Sequence, residues 1–155
     1  MFQKIERTAH PPKHKPIMIW DGQCGFCQFW ITRWSKFTGS KIDYATYQGA
    51  SADFPDINKR HFMMASRLIE TDGTIYSGPR SAYRTFTYGS KWGFLDKWYL
   101  NKKWFTKLSD RLYVLVTKNR GFLFKVTKWM FGANPEEPRP FWAIYLAIIA
   151  YFIYI

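Results

Sequence analysis

Cys24 and Cys27 are the only cysteines in the chain. They stand where a short apolar run, Ile17–Trp20, gives way to a segment with helical spacing, Phe26, Trp30, Trp34 and Phe37. Asp21-Gly22-Gln23, between run and pair, is turn chemistry. An unalternating apolar run reads as a strand covered on both faces. The stretch therefore reads strand, turn, helix, with both sulfurs on the first helical turn, near enough to close and reopen a disulfide. A cysteine at a helix start is favoured as thiolate by unpaired backbone N–H groups and the helix dipole. Cys24, at the amino end, is expected to be the more exposed, which makes it the nucleophile and Cys27 the resolving thiol. Gly25 is expected to let a partner's backbone approach. Asp21 reads either as a proton acceptor and donor for the pair or as a turn and cap residue.

The punctuation that follows builds an α/β core around this helix. The helix is expected to run to about Phe37, with Thr38-Gly39-Ser40 as its stop. Residues 41–47 alternate and read as a second strand. Residues 48–60 are polar, contain Pro55, and read as a loop with a short helix. Residues 61–69 read as a third strand, with Met63 and Met64 as core filler. Asp72-Gly73 is a hairpin turn into residues 74–77, and Gly78-Pro79 starts a helix through about Tyr88. Strand, helix, strand, helix, strand, strand, helix is the order of a thioredoxin-like domain, with the cysteines directly after its first strand. A parallel, right-handed connection is expected for the first strand–helix–strand unit.

A length of 155 residues gives one domain with chain left over. Residues 1–15, with Pro11 and Pro12, read as an extended arm leading to a core over 16–90. No apolar run of signal-peptide length occurs before Pro16, so the cytosol is expected. In that reducing compartment a two-cysteine chain is redox-active or metal-binding rather than stapled. Eight Trp, ten Tyr and fourteen Phe exceed the needs of a small core, placing some of them at a second apolar medium. The formal net charge of +12 calls for an anionic partner. Between residues 83 and 128, eleven Lys and Arg face only Asp96 and Asp110, a local net of +9.

Residues 91–131 interleave Trp92, Trp98 and Trp104 with lysines and read as a pair of basic amphipathic helices. Residues 132–140, with Pro135, Pro138 and Pro140, read as a linker. Residues 141–155 carry no charge. As a helix they would reach roughly 22 Å, short of the roughly 30 Å hydrocarbon core. The tail reads as a spanning or half-inserted membrane anchor, or as a helix docked on the domain. With cationic residues on its amino-terminal side, an anchored tail keeps the domain on the cytoplasmic face of an anionic membrane. Nucleic acid is the weaker partner, since no known binding module is present.

A tetrahedral zinc site needs four ligands, and only His10, His14 and His61 are available to join the cysteines, two of them on the proline-rich arm. No metal or cofactor is therefore expected, and the leading chemistry is dithiol exchange with a protein or small-molecule disulfide or dithiol. Asp21-x-x-Cys24-x-x-Cys27 after a hydrophobic strand resembles the signature of the DCC family of predicted thiol-disulfide oxidoreductases. The resemblance continues through Asp72-Gly73, Tyr76-x-Gly78 and Ala82, then Tyr113 and Asn119-Arg120, and covers roughly residues 16–120. It implies a thioredoxin-like fold and redox chemistry at Cys24 and Cys27. Two features depart from it: no proline precedes the strand expected over 61–69, where thioredoxins place a cis-proline, and the apolar tail lies outside the family domain. Arg120 reads either as a charge lowering a thiol's proton affinity or as a solvated helix end. Two other functions stay open, a non-catalytic membrane adaptor of the same fold and a metal-binding protein using the cysteines.

Overall fold

In the computed structural model of the chain, which describes residues 2–89, 91–137, 139 and 141–154 (152–154 by backbone alone), the apolar run becomes an inner strand. β1 (Ile17–Trp20) pairs in parallel with β2 (Asp43–Thr46) and antiparallel with β3 (Arg67–Ile69). β4 (Ile75–Ser77) lies antiparallel beyond β3, giving the order β2-β1-β3-β4. Consecutive residues of β1 point to opposite faces. Met18 packs with Ile31, Ile42 and Leu68, whereas Ile19 packs with Tyr47, Phe54, Phe62 and Ile75. Both faces are covered, so the run has no polar alternation. Met18, Ile19, Leu68 and Ile69 are wholly excluded from solvent, each stabilising the fold by about 1.5–3 kcal/mol.

α1 (Gly25–Thr38) and α4 (Pro79–Phe86) cover the Met18 face; α2 (Tyr47–Ala50) and α3 (Lys59–Met64) cover the other. α1 stops where expected, with Gly39 following. The strand expected over residues 61–69 begins only at Arg67. The Asn58 side chain accepts the Arg60 N–H at 2.9 Å and starts α3 instead, which buries Phe62 and leaves Met63 and Met64 50% and 38% exposed. Phe62-Met63-Met64 has no alternation, and an unbroken apolar triplet fits either element. The core-filler reading of the two methionines does not hold.

The hairpin forms at Asp72-Gly73: Asp72 Oδ1 accepts the Thr74 N–H at 2.8 Å and Gly73 adopts φ +84°, a conformation glycine takes without strain. The arm then lies along β4, with the Ile75 N–H donated to the Glu6 carbonyl at 2.8 Å and the Thr8 N–H to the Gly73 carbonyl at 2.9 Å. The wholly buried Arg67 guanidinium ties this assembly together by donating to the carbonyls of His61 and Gln3 and to Ser77 Oγ. Burial pushes its pKa down to about 10.

The basic region forms three helices rather than two: α5 (Phe94–Asn101), α6 (Lys103–Lys118) and α7 (Arg120–Phe131). α6 turns Ser109 and Tyr113 inward and leaves Trp104, Leu108, Leu112 and Leu115 about half exposed. The tail forms α8 (Phe141–Tyr154), which stacks Tyr145 on Trp129 of α7 at 4.5 Å between ring centres. Among the described residues no helix is long and apolar enough to cross a membrane. Met1, Ser90, Pro138, Pro140 and Ile155, at the expected ends of arm, core, linker and tail, lie outside the described residues.

Candidate functional site

Asp21 makes the turn from β1 into α1. Its carbonyl accepts the Cys24 N–H at 3.0 Å, and its Oδ1 accepts the Gln23 N–H at 3.2 Å. Cys24 is thereby placed as the N-cap of α1. Its carbonyl accepts the Gln28 N–H at 2.9 Å, and its Sγ takes the cap acceptor's role by receiving the Cys27 N–H at 3.2 Å. The two Cα atoms are 5.2 Å apart and the sulfurs lie at disulfide distance. When that bond opens, the Cys24 sulfur sits on the positive end of a 14-residue helix with an N–H aimed at it, which favours the thiolate.

The exposure of the two cysteines is the reverse of that expected. Cys24 is buried, 9% exposed, whereas Cys27 is partly exposed and lines a cavity. α7 packs on α1 and lays Phe124 against Gly25, where a Cβ would stand 2.8 Å from the Phe124 ring. The space that glycine leaves is filled by this chain's own aromatic ring rather than by a partner's backbone.

Arg120 begins α7 and donates to Asp21 Oδ2 at 3.2 Å, while Gln48 Nε2 donates to Oδ1 at 3.1 Å. Asp21 is thus the turn residue and a charge partner together. Arg120 is brought to the wall of the cavity that Cys27 lines instead of ending a helix in solvent.

That cavity, of about 300 Å³, lies between α1, α4 and α6. Its walls are mainly apolar, with Phe26, Trp30 and Trp34 from α1, Tyr83 from α4, and Leu112 and Val116 from α6. Tyr113 closes one side. Its hydroxyl accepts the backbone N–H of Ser66, the residue just before β3, at 3.0 Å. The Tyr83 and Ser109 hydroxyls, from two other lining residues, pair at 3.0 Å. Sequence reasoning missed this cavity. Its only sequence signal was that Phe26, Trp30 and Trp34 recur every four residues, a pattern equally suited to helix packing.

Among the described residues, no three His, Cys, Asp or Glu side chains are gathered so as to hold a metal ion. His61 sits on α3, where its carbonyl serves Arg67. The site therefore consists of a cysteine pair at a helix start and a mainly apolar cavity that Cys27 and the Asp21–Arg120 ion pair line. No protein family, curated protein or solved structure matches the chain.

Proposed function

We propose that the chain is a thiol-disulfide oxidoreductase working through Cys24 and Cys27. The observation that carries this reading is the Cys24 sulfur placed as N-cap acceptor of α1, bonded by the Cys27 N–H and at disulfide distance from its partner. The order β2-β1-β3-β4, parallel on one side of β1 and antiparallel on the other, supports a thioredoxin-like core. The resemblance to the DCC family gains weight because residues from two of the groups that carry it, Asp21 with Cys27 and Tyr113 with Arg120, line one cavity.

The burial of Cys24 and the partial exposure of Cys27 support different work for the two residues. A substrate thiolate attacks Cys27 Sγ, the S–S bond breaks, and its electron pair goes to Cys24, whose stabilised thiolate makes it the better leaving group. A second substrate thiol then displaces Cys27 from the mixed disulfide. In the reducing direction the Cys27 thiolate attacks the substrate disulfide, and Cys24 attacks Cys27 to expel the bound sulfur. Asp21 holds Arg120 in place and accepts or returns the proton that these steps move.

The surface supports a location. α5 to α7 expose Trp98, Trp104 and Trp129 among lysines and the uncharged α8 exposes Trp142, a composition suited to the headgroup region of an anionic membrane at its cytoplasmic face. Held there by interfacial helices, the site needs no spanning segment. The experiment is reduction of hydroxyethyl disulfide by the purified protein with a dithiol donor. Activity abolished by Cys27→Ser and by Cys24→Ser supports the reading, and activity untouched by either overturns it.

A further inference from the structure

We propose that the cavity in front of Cys27 binds a lipid-soluble quinone, which oxidises the reduced cysteine pair. The inference rests on the dithiol reading above and names the electron acceptor for it. Cys27 forms part of the cavity wall, so an occupant meets it. The remaining wall is mainly aromatic and aliphatic, suited to a flat ring that stacks on Trp and Tyr faces. A volume of about 300 Å³ lies at the small-molecule end of binding sites and takes one substituted ring rather than a folded chain.

A peptide substrate is disfavoured by the same geometry. An extended peptide docks by pairing with free backbone groups, and the Ser66 N–H beside the cavity is already committed to the Tyr113 hydroxyl. Arg120 supplies the polar contact a quinone needs, because a guanidinium has five N–H donors and the bond to Asp21 Oδ2 uses one. The mouth points the same way. Leu112 and Met63 line the cavity yet are about half exposed, and Leu112 continues the apolar stripe of Leu108 and Leu115 along α6. A ligand dissolved in a membrane would enter from that stripe.

The reaction balances as two electrons and two protons. The Cys27 thiolate adds to the quinone ring, forming an S–C bond and moving an electron pair onto a ring oxygen, which takes a proton. The Cys24 thiolate then attacks Cys27 Sγ. The S–S bond forms, the S–C bond breaks, and its electron pair remains on the ring, giving the hydroquinone after a second protonation. Both protons replace those lost by the two thiols.

The test uses the full-length reduced protein under anaerobic conditions with decylubiquinone, whose ring is fully substituted and forms no lasting thioether. The inference expects stoichiometric hydroquinone and disulfide at a rate at least about tenfold above that of dithiothreitol at equal thiol concentration. It also expects quenching of tryptophan fluorescence when decylubiquinone is added to the oxidised protein, since Trp20, Trp30 and Trp34 line the cavity. Ala82→Phe, which fills the cavity from α4, should lower the ratio of quinone rate to hydroxyethyl disulfide rate by at least about tenfold. Should that variant not fold, Val116→Phe fills the cavity from α6. Disulfide reduction that persists with a quinone rate no better than dithiothreitol, or with an unchanged ratio in the filled variants, overturns the quinone inference alone. Loss of both activities from the unaltered protein overturns the dithiol reading with it.

Discussion

The Arg120 guanidinium stands 3.2 Å from the Asp21 carboxylate across 99 residues of chain, so the start of α7 is fastened to the turn that feeds α1. Both side chains are about a quarter exposed, and an ion pair so placed adds at most about 1 kcal/mol to stability. Its consequence is positional. It brings a fixed positive charge to the cavity that Cys27 lines and helps to hold α7 against α1.

Arg120→Gln should therefore leave unfolding nearly unchanged while raising the pH at which the thiolate absorbance of the reduced protein appears, by about half a unit to one unit. Arg120→Lys should restore most of the difference. An unchanged titration in Arg120→Gln would mean that the charge does not reach the thiols.

Phe124 occupies the space over Gly25, the residue next to Cys24. In reduced protein, Phe124→Ala should increase alkylation of Cys24 by iodoacetamide about tenfold and leave Cys27 little changed, because thiol reactivity follows access as well as thiolate character. Mass spectrometry of the two sites over time measures this. Equal rates at Cys24 with and without Phe124 would mean that Phe124 does not limit access to Cys24.

Three tyrosines make stability sensitive to alkali. Burial pushes Tyr44 up to about 12, against a lowering bond with the Thr38 hydroxyl. Tyr88 and Tyr99 are raised first by burial and then by hydroxyls donated to Glu70 and Asp110. A folded-state pKa above the ordinary value near 10 means that the folded protein holds more protons than the unfolded one above that pH. Stability from these groups is complete below about pH 10 and is lost as the pH rises through the folded values. Urea unfolding along that range should show the decline, and Tyr44→Phe should make it shallower between about pH 10 and 12.

How much of this was readable in advance depends on how local each cause was. β1, the Asp21 turn, α1 and its stop after Thr38, the Asp72-Gly73 hairpin and the Pro79 helix start are all specified within a few residues, and each forms where expected. α3 escaped because Asn58 capping outweighs an apolar triplet that suits either a helix or a strand. The exposure of the cysteines escaped for a different reason: Phe124 reaches Gly25 from nearly 100 residues away, and no spacing near the motif records it. The cavity is likewise tertiary, made by α1, α4 and α6 meeting. Arg120 too is placed by its distant partner Asp21 rather than by anything beside it in the chain.

The proposed membrane location predicts that full-length protein floats with vesicles containing phosphatidylglycerol and much less with phosphatidylcholine alone. Salt near 1 M, where the screening length is about 3 Å, should weaken the association. Removing residues 141–155 should abolish what salt leaves behind. Equal flotation with both lipids would contradict an anionic partner.

The most direct test of the account is the midpoint potential of the Cys24–Cys27 couple, measured by equilibrating the protein against glutathione or dithiothreitol buffers and counting free thiols. A redox-active pair predicts a two-electron midpoint between about −270 and −120 mV, the range of working dithiol oxidoreductases. A midpoint below about −300 mV, where structural disulfides lie, would contradict it.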